Sequence, residues 1–362
     1  MMMNYNILGL MSGSSLDGVD LAMVEFNSGE DDVIEWKLLA THEAAFDGPW
    51  KKRLESAPRL SSLELSRLDA ELGVLFGEMC ARFIESSGIT PNYIASHGHT
   101  VFHSPENGFT VQIGSPSHIA AGADVIVISD FRSNDMAHGG QGAPIAPIVE
   151  KYLFAGYGFY LNLGGIANLS AHNGEEIYAW DICPCNQLLN YLAAQKGLTY
   201  DNKGALAREG KISLSLMKEL SGIIPLPLTE PYSLDNSFVT NTFVPILQKS
   251  KLSVEDQMRT VVNYNCESIA VQIKNILKKE AITPTLLLTG GGAHNTFLGD
   301  EIRDKLEQMH VSVLVPDSDI IDFKEGVLMA LCGLLRVIET PNALASVTGA
   351  EIDTINGGIY LP

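Results

Sequence analysis

Basic residues are scarce in this chain. Its 362 residues carry 24 lysines and arginines against 43 aspartates and glutamates, a net charge of −19 with a pI near 4.8. Nucleic acid or an anionic membrane surface would need a basic patch to displace counterions, and no block of basic residues supplies one. No apolar run approaches the roughly 20 residues of a membrane-spanning helix. Cysteine is sparse as well. Cys80, Cys183, Cys185, Cys266 and Cys332 form an odd set without framework spacing, which fits reduced thiols and an expected cytoplasmic setting. Residues 1–4 lead into strand-forming sequence without the charged region, apolar core or cleavage site of a leader, which adds to that expectation. The Cys183-Pro184-Cys185 spacing lacks the second intervening residue of a C-x-x-C site, so packing is favoured over zinc or redox chemistry.

What the chain has is glycine loops between apolar runs. With 46% hydrophobic and 19% charged residues it is long enough for two domains with separate cores. Residues 9–20 read G-L-M-S-G-S-S-L-D-G-V-D and join two strand-forming runs, so the segment predicts a hairpin whose tip offers backbone N–H groups and hydroxyls. Gly13, Ser14, Ser15, Leu16, Asp17, Gly18, Val19 and Asp20 are candidate phosphate-holding positions; an ordinary polar turn is the alternative. Residues 159–170 repeat the arrangement with Gly164-Gly165 between apolar runs, which suggests a duplicated core. A third cluster, Gly290-Gly291-Gly292-Ala293-His294-Asn295, follows the run at 285–289 and opens a predicted helix, a nucleotide-facing geometry. It matches neither the Walker nor the Rossmann pattern. A nucleoside triphosphate on so acidic a chain, without a P-loop lysine, would need a divalent cation, expected to be magnesium, held through water by Asp17 and Asp20.

Apolar spacing of three and four predicts a helix over 61–87, and further amphipathic helices over 254–280 and 324–338, the last preceded by an acidic loop at 317–322. Short buried strands are expected at 93–96 and 125–128, emptying into the polar loops 97–99 and 130–132, where α/β proteins place their chemistry. No low-complexity linker separates the halves, so the join near 139–147 reads as a rigid hinge.

Asp181 follows a strand-like run and precedes a predicted helix at 187–196. It suits a general base, with helix capping as the competing role. Arg132 suits a clamp on a substrate anion, or a structural partner of Asp130 or Asp135. His97, His99 and His103 cluster; Pro105 and Gly108 disfavour a helix that would carry a metal pair, so hydrogen bonding to a polar ligand is preferred.

Six ordered motifs carry a resemblance: residues 9–20, S-H-G-H-T-V-F-H at 96–103, D-F-R at 130–132, G-G-Q-G-A-P at 139–144, N-L-G-G-I-A-N at 162–168 and G-G-G-A-H-N at 290–295. Together they resemble the anhydro-N-acetylmuramic acid kinase family, from the first strand to the C-terminus. The resemblance implies an α/β fold of two related ribonuclease H-like domains, as in the actin, hexokinase and Hsp70 ATPases, with ATP in an interdomain cleft. Domains are expected at 1–135 and 136–362, the last residues packing back on the first. The implied reaction opens the 1,6-anhydro ring with water and phosphorylates O6 from ATP with Mg²⁺, in cell-wall recycling. The resemblance also implies Asp181 as base, Glu325 as a substrate-orienting acid, and His97, Arg132 and Asn186 as sugar contacts. ATP contacts are implied at the first hairpin, at Gly164 and Gly165, and at Gly290, Gly291, Gly292 and Asn295. For Glu325 the alternative is a charge interacting with a helix dipole. A homodimer is expected.

The chain departs from the family pattern at Ser14, His99 and Ser115, at Cys183 and Cys185 where glycines are usual, and at 231–236, which lacks a lysine. Two other readings therefore stand beside the first: a kinase for another anhydro or ordinary sugar, and an ATP-binding sensor without turnover.

Overall fold

The computed structural model describes residues 3–13, 16, 18–28, 34–174, 176–229, 232, 234 and 236–362. Contacts divide the chain into two units, Met1–Ala155 with Phe323–Pro362, and Gly156–Asp322. The division falls after Ala155 rather than at the expected 135/136. Local hydrogen bonds hold the intervening residues in the first unit: Gly140 N donates to Asp135 O at 2.9 Å, and Trp36 Nε1 donates to Leu153 O at 3.2 Å.

The first unit contains β1 (Met3–Ser12), β2 (Gly18–Ser28), β3 (Ile34–Ala45), β4 (Tyr93–Ser104), β5 (Phe109–Ile113) and β6 (Val127–Ser129). Its sheet runs β3, β2, β1, β4, β6 and then the strand Gly358–Tyr360, with β5 paired to β4. The β1–β2 and β2–β3 pairs are antiparallel, while β1–β4 and β4–β6 are parallel. Ile7, Leu8 and Leu10 of the central strand are fully buried, as a strand covered on both faces requires. The helix Ser62–Ser87 packs Leu68, Leu72, Phe76 and Phe83 into the same core as Leu8 and Leu10. It is capped by Ser61 reciprocally with Glu64, and ends at Gly88 in the left-handed region.

The second unit contains β7 (Phe159–Leu163), β8 (Ile166–Asn173), β9 (Glu176–Pro184), β10 (Thr285–Thr289) and β11 (Ser312–Leu314). Its order is β9, β8, β7, β10, β11, again with two antiparallel pairs followed by two parallel ones. Order and strand directions repeat those of the first unit's β3 to β6. Each unit therefore has the ribonuclease H-like pattern, and the duplication suggested by the two hairpins is present in the sheets. The helix Val254–Lys279, capped by Ser253, buries Met258, Val261, Ile269 and Ile273 in the second unit's core.

Several boundaries differ from expectation. Residues 97–99 are not a loop: β4 continues to Ser104 because β5 pairs with its second half, and Gly98 at φ 73° lies where the β1–β4 register shifts between Ser96 and His99. The acidic stretch 317–322 is helical from Ser318, in the element Ser318–Val337, whose helix is interrupted at Phe323 (φ −106°, ψ 15°). No described helix is long and apolar enough to cross a membrane.

Candidate functional site

In the second unit, Asp181 lies inside β9 rather than at its end, because the strand runs on to Pro184. It pairs in register with Asn168 of β8, whose Nδ2 donates to Asp181 Oδ1 at 2.9 Å. The backbone N–H of Leu234 donates to Oδ2 at 2.7 Å, and Asp181 N donates to Tyr232 O at 2.8 Å. Both oxygens are thus oriented by donors from a neighbouring strand and a loop, an arrangement that suits a carboxylate acting as a base. It does not cap the helix that follows it. The following helix, Asn186–Ala194, starts from Cys185 without a side-chain cap.

The glycine pair forms the tip of the β7–β8 hairpin and is tied to that helix start. Gly165 O accepts from Cys185 N at 2.8 Å and from Gln187 N at 3.1 Å; Gly164 O accepts from Asn186 N at 3.2 Å. Asn186 Nδ2 donates to Leu163 O at 3.0 Å, closing the hairpin against the helix. After β10, Gly290 turns the chain at φ 83°, where a Cβ would lie 2.6 Å from Asn162 Oδ1. A short 3₁₀ turn, Gly291–His294, then precedes the helix Thr296–Glu307. Asn295 caps that helix, accepting from Leu298 N at 3.1 Å.

The helix start at Asn186 and the turn from Gly291 to Asn295 border a cavity of about 480 Å³ within the second unit, whereas Gly164, Gly165 and Gly290 do not line it. Gly291 and Gly292 form part of its wall, with Asn186, Asn190, Tyr200 and Lys203. A Cβ at Gly291 would meet nothing within 4 Å, so a ligand can approach the bare backbone there. His294 and Asp322 also line the cavity and pair with each other, Nε2 to Oδ1 at 2.5 Å. Tyr200 is 59% exposed and presents a ring for stacking on a flat base. Volume, aromatic wall, amide groups and bare loop together fit the adenosine end of a nucleotide. Asn190, Tyr200 and Lys203 were missed in the sequence because they lie on a helix and a loop without a glycine signature.

In the first unit, Arg132 follows β6 and is half-buried. Its Nε donates to His97 Nε2 at 3.0 Å and its NH1 donates to Gly142 O at 2.8 Å. Among the described residues it forms no ion pair: Asp130 instead accepts from Ser133 N, and Asp135 from Gly142 N. Burial lowers the Arg132 pKa, yet the guanidinium keeps its charge, since an arginine starts from 12.5. A partly buried cation held by a neutral ring and a carbonyl is prepared for an incoming anion. The His97 ring must accept at Nε2, so its proton sits on Nδ1, 3.0 Å from Gly98 O. Burial and the neighbouring Arg132 charge push its pKa down to about 4.

His99 and His103 turn to other partners, Ser12 Oγ at 3.1 Å and Thr110 Oγ1 at 3.2 Å. No group of three potential metal-ligating side chains is found among the described residues. Glu325 is exposed, two residues past the helix interruption at Phe323. Beside it, burial lowers the pKa of Lys324, while Glu150 and Glu325 act in the opposite direction. Cys183 and Cys185 are buried in the second core, and burial pushes the Cys185 thiol up to about 12, which accords with packing.

Of the first hairpin, Ser14, Ser15 and Asp17 lie outside the described residues. Gly13 and Leu16 are joined by a 3.4 Å backbone hydrogen bond, with Leu16 at φ 60°. Gly18, Val19 and Asp20 begin β2; the Val19 side chain is in the core, so only its backbone is available to a ligand.

Comparison with known proteins matches residues 5–362 to the family model described as anhydro-N-acetylmuramic acid kinase. Curated proteins of that name resemble the chain along its length. The one from Mannheimia succiniciproducens is 32% identical, covering 99% of this chain and 100% of its own. That from Shewanella sp. strain ANA-3 is 34% identical, covering 98% of each. That from Haemophilus influenzae is 32% identical, over 98% of this chain and 97% of its own.

Proposed function

The chain belongs to the anhydro-N-acetylmuramic acid kinase family, and from that premise we propose that it opens the 1,6-anhydro ring of anhydro-N-acetylmuramic acid with water and phosphorylates O6 from ATP. Water oxygen bonds to C1 as the C1–O6 bond breaks, and O6 bonds to the γ-phosphorus as the bond to ADP breaks. Asp181 takes the proton of the attacking water. The oriented carboxylate on β9, held by Asn168 and the Leu234 N–H, is the observation that carries this reading. Arg132, steadied by His97, receives the sugar's lactyl carboxylate. Glu325 orients the sugar.

The second-unit cavity takes the adenosine end of ATP, with the bare backbone at Gly291 leaving room for the phosphates. Bound ATP supplies the phosphoryl group. Mg²⁺ is the counter-ion expected for its phosphates, with Asp20 the described acid offered to it through water. The enzyme is read as a cytoplasmic homodimer serving peptidoglycan recycling.

The test is ADP release from ATP and Mg²⁺ with 1,6-anhydro-N-acetylmuramic acid, N-acetylmuramic acid and anhydroglucose as acceptors, in ¹⁸O-labelled water. Stimulation by the anhydromuramic sugar, with label at C1, is the expected result. Stimulation by a different sugar replaces the substrate, label-free product makes it an ordinary hydroxyl kinase, and ATP binding without turnover favours a sensor.

A further inference from the structure

The proposed reaction makes no use of a carboxylate that is fully buried in the first unit. Asp135, on the short helix Ser133–Ala137, is 0% exposed, and such a group is costly unless donors surround it. Its Oδ2 accepts the Gly142 N–H at 2.7 Å and its Oδ1 accepts the Thr348 hydroxyl at 2.7 Å. Gly142 is the residue whose carbonyl receives Arg132 NH1. The loop between them fits closely: a Cβ on Gly140 would lie 2.2 Å from Asp135 Oδ2.

Thr348 comes from the far end of the chain and is itself anchored. Gln141 N donates to Thr348 O at 2.9 Å, so the hydroxyl and the carbonyl of one threonine grip both sides of the loop. Asp135 N donates to Asn356 Oδ1 at 3.0 Å, and Asn356 N donates to Asn342 Oδ1 at 2.8 Å. Asn342 Nδ2 in turn donates to Cys332 O at 3.1 Å, which fixes the segment to the helix Ser318–Val337.

We infer that Asp135 and Thr348 are positioning residues for the substrate's carboxylate: Asp135 fixes Gly142, whose carbonyl aims the Arg132 guanidinium, and the C-terminal segment thereby becomes part of the sugar site. This rests on the reading of Arg132 as the clamp for that carboxylate. His97 remains as the second anchor, so losing Thr348 loosens the guanidinium without freeing it. A purely structural network would weaken all ligands alike. A positioning network weakens only those that carry the anion.

The experiment uses the full chain with Thr348→Val, Thr348→Ser, Asp135→Asn and Arg132→Ala. Calorimetry gives Kd for 1,6-anhydro-N-acetylmuramic acid and for 1,6-anhydro-N-acetylglucosamine, which lacks the lactyl carboxylate. The ratio of the two constants is the readout. Thr348→Val is expected to shrink the preference for the acid about tenfold, Thr348→Ser to retain it and Arg132→Ala to abolish it, with ATP affinity unchanged in all three. Asp135→Asn, which keeps one accepting oxygen, gives a second reading of the same ratio should Thr348→Val fold poorly. Equal weakening of both sugars, or of neither, in the Thr348 and Asp135 variants while Arg132→Ala still abolishes the preference overturns the positioning role and leaves the clamp standing. An unchanged preference in Arg132→Ala overturns both.

Discussion

Asp181, the proposed base, and its neighbour Asn168 should make separable contributions to turnover. Replacing Asp181 by Asn keeps the shape and removes the base, so turnover should fall by about 10²–10⁴-fold with ATP affinity nearly intact. Steady-state kinetics together with nucleotide titration check this; loss of ATP binding would mark a structural aspartate. Asn168→Ala leaves the carboxylate with its bond to Leu234 N and removes only one of the two described bonds to its oxygens, so a smaller loss in kcat is expected. His97 supplies a pH signature. Its pKa lies near 4 in the folded chain against 6.5 ordinarily, so below pH 6.5 the unfolded chain takes up a proton that the folded one refuses. Stability is therefore fully present above pH 6.5 and declines as pH falls toward 4, by about 3 kcal/mol from this group. Protonated Nε2 can no longer accept from Arg132, so sugar affinity should fall in step. Denaturant titrations across that window, with His97→Gln as the control that lacks the imidazole, measure both effects; an identical acid limb in the variant would assign the decline to other groups.

At the scale of elements, the three consecutive glycines after β10 are not equivalent. Gly290 holds a left-handed φ with Asn162 and Leu163 crowding its missing Cβ, whereas Gly291 faces open space at the cavity wall. Gly290→Ala should destabilise the fold by about 1–3 kcal/mol through backbone strain and overpacking. Gly291→Val should fold nearly as well as the parent and raise KM for ATP, leaving KM for the sugar alone. Melting curves and kinetics on the two variants distinguish these outcomes, and a Gly291→Val protein with unchanged ATP kinetics would remove the loop from the nucleotide site. Such loops were legible in the sequence because apolar strands flank small residues at a fixed place. The extension of β4 through His97 and His99 was not, since it depends on pairing with β5, a partner that local composition does not announce. Asp135 was equally hidden. Its place in the sequence suggested a partner for Arg132, while its actual partner Thr348 is 213 positions away.

Over the whole chain, the repeated strand order is what two hairpins with small-residue tips could foreshadow, and six spaced motifs are enough to mark the family. The cavity proposed for the nucleotide escaped because its other walls come from an ordinary helix and loop, where no single residue type is compulsory. Its location within the second unit leads to a test of how the two ligands divide over the molecule. The proposed nucleotide wall, Gly291 with Asn186 and Tyr200, belongs to one contact unit, and the proposed anion clamp, Arg132 with His97 and Gly142, belongs to the other. A ligand at one hundred times its Kd stabilises the folded state by about 2.7 kcal/mol, whichever unit holds it. ATP should therefore raise the melting temperature of Arg132→Ala as it does that of the parent, and fail to raise that of Gly291→Val. The anhydromuramic sugar should show the reverse pattern. Calorimetric scans with each ligand on each variant give four results; loss of both responses in either variant would mean that the two sites are not held by separate groups of residues.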